Sequence, residues 1–154
     1  MSLITMKFGG TSMGSADAMR RGAAIIGQQK ALGDRVLVVV SAMNGITDGL
    51  LRVARTAATG NDTAHLVALD DMRQRHHAVA RELITDMSMC AALLADIDSL
   101  FADLTALCHS LTVLSEATPR ALDRMASFGE RLSARLLAAY LRQQGFEASA
   151  VDAT

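Results

Sequence analysis

A lysine, two adjacent glycines and two hydroxyl side chains stand together near the start of the chain, in the sequence KFGGTS. Gly9 and Gly10 carry no Cβ, so an anion can approach their backbone N–H groups closely. Lys7 adds a full positive charge, and Thr11 and Ser12 add hydroxyl donors. This combination predicts a phosphate-binding turn. The sequence matches neither the Walker pattern nor G-x-G-x-x-G, and a purely structural turn remains the alternative.

The elements around this turn favour a strand–helix–strand unit. The apolar run LITMKF predicts a first strand, and Ser15 is placed to cap a helix that continues to Ala31 and ends at Gly33. The next strand contains five consecutive apolar residues, Val36–Val40, which predict burial on both faces. Two strands joined in this way form a parallel pair with a right-handed crossover. The helix N-terminus behind the glycine turn adds partial positive charge for an anion.

The middle of the chain predicts mostly helices. One begins near Thr47 or Asp48, either of which could be its N-cap. Residues 62–114 carry apolar stripes at helical spacing on both sides of a weak stretch near Asp86, where we expect a break. These residues therefore predict a long antiparallel helical hairpin, inserted between βαβ-type elements.

The last part of the chain predicts one interrupted helix followed by a strand. Thr118 is a candidate N-cap and Pro119 suits the first turn. We expect an interruption at Ser127–Gly129 and an end at Gly145. The closing sequence FEASAVDAT predicts the start of a third strand, and its abrupt stop suggests that the chain is the front part of a larger protein.

The composition argues for a globular protein that binds neither nucleic acid nor a membrane. The chain is 51% hydrophobic, and its net charge is only −1, with 15 basic and 16 acidic side chains. No apolar run is long enough for a transmembrane helix, and the N-terminus does not resemble a secretory signal. Cys90 and Cys108 are expected to be buried, reduced thiols, which favours a cytoplasmic protein.

Three sequence blocks together resemble one enzyme family. KFGGTS, VVVSAMNGITDGLL and SFGERLSARLLAAYLRQQG, followed by VDA, are similar in sequence and order to the aspartate kinases of the amino acid kinase family. The resemblance implies an α/β fold of the carbamate kinase-like type, a three-layer αβα sandwich around a mostly parallel sheet. It also implies phosphoryl transfer from ATP, with Mg²⁺, to L-aspartate, giving 4-phospho-L-aspartate at the start of lysine, threonine and methionine synthesis.

The resemblance also implies roles for individual residues. Lys7 would contact the phosphates and neutralise charge on the transferred group, while Thr47 and Glu130 would bind the amino acid. Arg131 and Ser133 would be neighbours of the site. The full set comprises a phosphate-binding group, Lys7, Gly9, Gly10, Thr11 and Ser12, and a substrate-binding group, Ser41, Thr47 and Glu130. No metal ligand is expected among them.

Several of these residues also have a simpler structural explanation. Glu130 could be an acidic residue near a helix N-terminus, and Thr47 could be only a cap. The adjacent histidines His76 and His77 point in different directions and are not expected to bind metal. Arginines 73, 75 and 81 are expected on a solvated face, with contact to a partner as the alternative.

The resemblance covers only part of a catalytic domain. The family's adenine pocket, a later acidic residue, the arginine that grips the substrate carboxylate and the regulatory domains have no counterpart in these 154 residues. We therefore expect residues 1–154 to be the N-terminal portion of such a domain and to be inactive alone. An exposed sheet edge and apolar surface favour a homo-oligomer. The alternative function is a non-catalytic half-domain that binds an anion or associates with another protein.

Overall fold

The computed structural model describes residues 2–60 and 63–152, which form two β-strands and five α-helices. In chain order these elements are β1 (Leu3–Phe8), α1 (Ala16–Ala31), β2 (Arg35–Val40), α2 (Ile46–Ala58), α3 (Ala64–Leu83), α4 (Met87–Leu114) and α5 (Pro119–Gln143). Among the helices described, none combines the length and the apolar character that a membrane span requires.

The predicted strand–helix–strand unit is confirmed. β1 and β2 pair in parallel, with Phe8 beside Val40 at their carboxyl ends. Ser15 is the N-cap of α1, and its Oγ accepts a hydrogen bond from the N–H of Ala18 at 3.2 Å. Gly33 follows the helix with φ +84°, a conformation that glycine adopts without a steric penalty. The glycine turn is therefore held between a strand end and a capped helix.

The expected burial of β2 on both faces is wrong. Burial alternates along the strand, and the side chains of Leu37 and Val39 are 53% and 43% exposed. Leu3 of β1 is also exposed, at 64%. The opposite side chains of both strands pack on the helices, including α1 and α5. Since no described element covers the outer face, the sheet has one helical layer, and a three-layer sandwich is not observed in the part of the chain described.

The expected third strand is not observed either. Residues 146–152 form no ladder with β1 or β2, and Ala153 and Thr154 lie outside the described residues. Side chains hold this segment instead. Phe146 packs its ring on Gly27 of α1, where an added Cβ would lie 3.1 Å from the ring. Burial still alternates along the segment, as in a strand that lacks a partner.

The long helical segment breaks where the sequence predicted. α3 and α4 are joined at residues 84–86, and Oδ1 of Asp86 caps α4 by accepting from the N–H of Met89 at 2.8 Å. The predicted first residue, Asp62, lies outside the described residues. α3 and α4 pack on each other and also on α2 and α5, around one common core. They are therefore part of the main body, and a separate inserted hairpin is not confirmed.

Two expectations about helix ends and breaks are wrong. The N-cap of α2 is Gly45, with φ +79° and no side-chain cap, so Thr47 and Asp48 lie inside the first turn. α5 is continuous through Ser127–Gly129. Gly129 serves close packing rather than a break, because α2 and its preceding loop lie directly against it.

The cysteine expectation holds in part. Both thiols are free; Cys108 is buried, and Cys90 is only half-buried. Burial raises the pKa of Cys108 to about 11, which keeps this thiol protonated and unreactive at neutral pH.

Candidate functional site

The glycine turn follows β1 directly and leads into α1. The N–H of Ser12 donates to the carbonyl of Gly9 at 2.9 Å, and the N–H of Met13 donates to the carbonyl of Gly10 at 3.2 Å. Among the hydrogen bonds between described residues, none has the N–H of Gly10 or Thr11 as its donor. Two consecutive backbone donors without an acceptor, ahead of a helix N-terminus, form an arrangement suited to an anion.

The loop after β2 lies against this turn. The N–H of Ser41 donates to the carbonyl of Phe8 at 2.9 Å, which aligns the ends of the two strands. A Cβ added at Gly10 would lie 3.1 Å from the carbonyl oxygen of Ala42 and 3.8 Å from the backbone nitrogen of Asn44. A side chain at Gly10 would therefore crowd the loop, and its absence lets the two backbones approach each other.

α5 reaches the same loop through Gly129. A Cβ added there would lie 2.6 Å from the Cβ of Ala42 and 3.5 Å from Cγ2 of Ile46, the first residue of α2. Glu130, the next residue of α5, is exposed, and Ser133 is fully buried one turn later. The glycine turn, the loop after β2 and α5 therefore meet around Ala42. Each of the three corresponds to one block of the sequence.

The predicted side chains lie on different elements and differ in burial. Lys7 is the penultimate residue of β1 and lies on the exposed face of the sheet, in register with Val39. Ser41 and Thr47 are half-buried, Ser41 directly after β2 and Thr47 in the first turn of α2. The structure thus brings together the backbones of the three segments. It places Lys7 on the open sheet face and Glu130 on a helix.

A charged cluster beside Glu130 was not predicted from the sequence. Asp152 accepts hydrogen bonds from Nη1 and Nη2 of Arg135 at 2.9 and 3.0 Å and from Nε of Arg131 at 3.0 Å. The guanidinium of Arg131 also lies over the ring of Phe128, 4.6 Å from its centroid. The hydrogen bonds from Arg135 and, to a smaller extent, Arg131 lower the pKa of Asp152 to about 2. The cluster attaches Asp152 to the part of α5 that carries Glu130, the candidate substrate-binding residue.

The spacing of the two arginines is the one sequence signal for this cluster. Arg131 and Arg135 are four residues apart, so they share a face of α5. That spacing predicts a common acidic partner, although it does not identify Asp152.

A second unpredicted contact comes from α3. Nη1 of Arg75 donates a hydrogen bond to the carbonyl oxygen of Asn44 at 2.8 Å, across 31 residues of sequence. The expectation that Arg75 belongs to a merely solvated face is therefore incomplete. Its side chain is exposed, but it is attached to the loop at the candidate site.

The adjacent histidines His76 and His77 are both buried. Nδ1 of His76 lies 2.7 Å from the carbonyl oxygen of Met72, a hydrogen-bonding distance. Nε2 of His77 lies 2.8 Å from Oδ1 of Asp98. Within residues 2–60 and 63–152, no three His, Cys, Asp or Glu side chains are grouped to hold a metal ion.

An open groove of about 840 Å³ lies away from the glycine turn, between the start of α3 and the second half of α4. His65 and His109 are among its lining residues, which include no lysine or arginine. Phosphate recognition usually relies on cationic side chains or converging backbone N–H groups. The glycine turn is therefore the better anion site.

The family comparison matches nearly the whole chain. The model described as "Amino acid kinase family" matches residues 2–154. Aspartokinase 3, chloroplastic, from Arabidopsis thaliana is 33% identical over 152 residues, covering 96% of this chain and 25% of that relative. Bifunctional aspartokinase/homoserine dehydrogenase 1, chloroplastic, from the same plant is 31% identical over 147 residues, covering 96% of this chain and 16% of that relative.

The comparison with solved structures also finds aspartokinases. The crystal structure of E. coli aspartokinase III in complex with aspartate and ADP matches with a TM-score of 0.74 and 29% identity. The match covers 94% of this chain and 30% of that one. The chain thus spans less than a third of each of these relatives.

Proposed function

The chain belongs to the amino acid kinase family, and from this premise we propose that it forms the N-terminal part of an aspartate kinase catalytic domain. The proposed reaction transfers the terminal phosphoryl group of ATP to the side-chain carboxylate of L-aspartate, giving 4-phospho-L-aspartate. The observation that carries this proposal is the meeting of the glycine turn, the loop after β2 and α5 around Ala42. These are the segments that would have to face both a phosphate and an amino acid.

The phosphate side of the proposed site is the glycine turn. The N–H groups of Gly10 and Thr11 would bind phosphate oxygens, and Gly9, whose added Cβ would meet nothing within 4 Å, leaves room for them to approach. The ammonium of Lys7 would neutralise charge on the transferred group, and the hydroxyl of Ser12 adds a donor. Phosphoryl transfer depends mainly on positioning and charge stabilisation, which these groups can supply.

The acceptor side lies on the other two segments. Thr47 would hydrogen-bond the amino acid, and Ser41 would line the pocket where β2 ends. The carboxylate of Glu130 would pair with the α-ammonium group of the substrate. An exposed acid beside a tightly packed glycine can reach a substrate while its backbone stays fixed by Ala42.

Several parts of this function lie outside the residues described. We propose ATP with Mg²⁺ as the donor, but the described residues offer no cluster of ligands for the metal ion, so no step is assigned to it. Leu37 and Val39 are exposed on the outer face of the sheet beside Lys7, and the third layer of the family sandwich would pack on them. For this reason we propose that the chain is inactive alone. Entry into lysine, threonine and methionine synthesis and a cytoplasmic location are part of the same proposal.

The uncovered sheet face favours one alternative function. Leu3, Leu37 and Val39 leave apolar side chains exposed on the outer face of the sheet. Thr5, Lys7 and Arg35 lie on the same face. Exposed apolar side chains rimmed by polar ones can mark an interaction site. A non-catalytic half-domain would use this surface to associate with another protein or a second copy. Such a protein would bind an anion at the turn without transferring a phosphoryl group.

A hybrid enzyme tests the kinase proposal. In it, this chain replaces the aligned N-terminal part of E. coli aspartokinase III. We expect aspartate-dependent release of ADP and formation of an acyl phosphate that hydroxylamine traps as a hydroxamate, whereas the chain alone should show neither. A correctly folded hybrid that binds ATP but forms no hydroxamate would contradict the proposal and favour the non-catalytic alternative.

The two lysines of the chain provide a matched pair of variants. In the hybrid, Lys7→Ala should lower kcat by about 10²–10³, the usual result of removing a group that stabilises transition-state charge. Lys30→Ala, at the exposed end of α1, should leave kcat close to that of the parent. Circular dichroism checks that both variants fold. Equal rates for the two variants would remove Lys7 from the mechanism.

A further inference from the structure

Arg75 connects α3 to the loop after β2 through a hydrogen bond to a backbone carbonyl. Its Nη1 donates to the backbone carbonyl of Asn44 at 2.8 Å, and no acidic side chain in the described residues forms an ion pair with it. Arg73, two residues earlier on α3, instead binds Asp70 and Asp98. The charge of Arg75 is therefore directed at a loop carbonyl.

The same loop residue also faces the glycine turn. The backbone nitrogen and Cα of Asn44 lie 3.8 and 3.9 Å from the position of an added Cβ at Gly10. The Cβ of Asn44 lies 3.9 Å from that of an added Cβ at Gly14. Asn44 thus lies against the candidate phosphate turn and is held from α3 by Arg75. A movement of its peptide would change the spacing between the two halves of the site.

α3 also supports the start of α2. Met72, one turn before Arg75, packs its side chain on Gly49, where an added Cβ would lie 2.7 Å from Cε of the methionine. Arg75 and Met72 share one face of α3, three residues apart. They contact the chain on either side of Thr47, at residues 44 and 49. The position of Thr47 relative to the glycine turn therefore depends on the contacts that Arg75 and Met72 make.

We propose that Arg75 is a positioning residue for the amino-acid acceptor. It holds the Asn44 carbonyl so that the loop after β2 and Thr47 keep a fixed distance from the glycine turn. This inference rests on the proposed function for the identity of the acceptor. The hold on the loop itself does not depend on that function and can be measured separately.

Hydrogen–deuterium exchange of the 154-residue chain measures that hold directly. Arg75→Ala should speed exchange of the hydrogen-bonded amides of Ile46, Gly49 and residues 12–14 while leaving α4 unchanged. Arg75→Lys, which keeps a cationic donor, should restore part of the protection. Arg81→Ala is the matched control, since Arg81 is an exposed arginine on α3 whose side chain makes no hydrogen bond or ion pair with the described residues. Unchanged exchange at Ile46 and Gly49 of Arg75→Ala would overturn the inference.

Kinetics of the hybrid enzyme then connect this hold to the acceptor. Loss of one hydrogen bond predicts that Arg75→Ala raises the KM for aspartate by up to about tenfold, with kcat and the KM for ATP nearly unchanged. The KM for aspartate of Arg75→Lys should lie between those of the parent hybrid and Arg75→Ala. A lower kcat with an unchanged KM for aspartate would refute the acceptor role. If the parent hybrid is inactive, the proposed function fails, while exchange still decides whether Arg75 holds the loop.

Discussion

Replacing Gly129 with alanine tests the packing around which the candidate site is built. The added Cβ would lie 2.6 Å from the Cβ of Ala42, whereas carbon atoms pack at about 3.5–4.0 Å. Both methyl carbons are attached directly to backbone, so neither can rotate away. α5 and the loop after β2 would therefore have to separate by about 1 Å.

Two opposing effects decide the sign of the change in stability. Alanine is favoured over glycine inside a helix by about 1 kcal/mol, so an unhindered site would gain stability. Overpacking costs typically about 1–3 kcal/mol, and this contact, with backbone behind both methyl groups, belongs near the upper end. We expect Gly129→Ala to lower the free energy of unfolding by about 1–2 kcal/mol.

A double-mutant cycle separates this contact from general effects on the helix. Denaturant unfolding would be followed by circular dichroism for Gly129→Ala, Ala42→Gly and the double variant. Removing the Cβ of residue 42 makes room for the one added at residue 129, so the double variant should be more stable than the sum of the single changes by about 1 kcal/mol or more. A stabilised Gly129→Ala, or simple additivity, would refute the packing of α5 on this loop.

Two further changes concern buried or paired ionisable groups. The hydrogen bonds from Arg135 and Arg131 hold the pKa of Asp152 at about 2 instead of 3.8, so their stabilisation is present above pH 3.8 and is lost as the pH falls towards 2. With solvent screening, Asp152→Asn should cost about 1 kcal/mol at neutral pH and weaken this acid dependence in urea unfolding; an unchanged acid profile would contradict the role of the pair. Burial lowers the pKa of His76 from 6.5 to about 4, so the unfolded chain takes up the proton first and stability falls between those values. His76→Leu should remove up to about 3 kcal/mol of this loss, measured by unfolding above pH 6.5 and near pH 4, and an equally steep loss in the variant would show that other groups cause it.

The features that local sequence controls were predictable. Ser15 caps α1, Gly33 ends it, and Asp86 marks the break between α3 and α4, because caps and left-handed glycines act on residues within one turn of themselves. The glycine turn belongs to the same class. Its position between a strand and a helix follows from the hydrophobic pattern on either side.

The features that depend on a distant partner were not predictable. Gly129 suggested a helix break, but the structure shows that it makes room for Ala42, which lies far away in sequence. The same limit applies to β2, whose apolar side chains indicated two covered faces. The sequence of a strand shows how apolar each of its faces is. It does not show which segment packs on each face, or whether that segment is among the described residues.

The uncovered face and the candidate phosphate site are neighbours, which links folding to function. Lys7 lies on the same sheet face as Leu37 and Val39, near the carboxyl ends of the two strands. A layer packed over those apolar side chains would also exclude water around the base of the lysine. Electrostatic interactions strengthen when water is excluded, so the charge of Lys7 would act more strongly on a phosphate once the sheet is covered. Completing the sandwich and activating the phosphate site would then be one event, which is why we expect turnover in the hybrid and none in the chain alone.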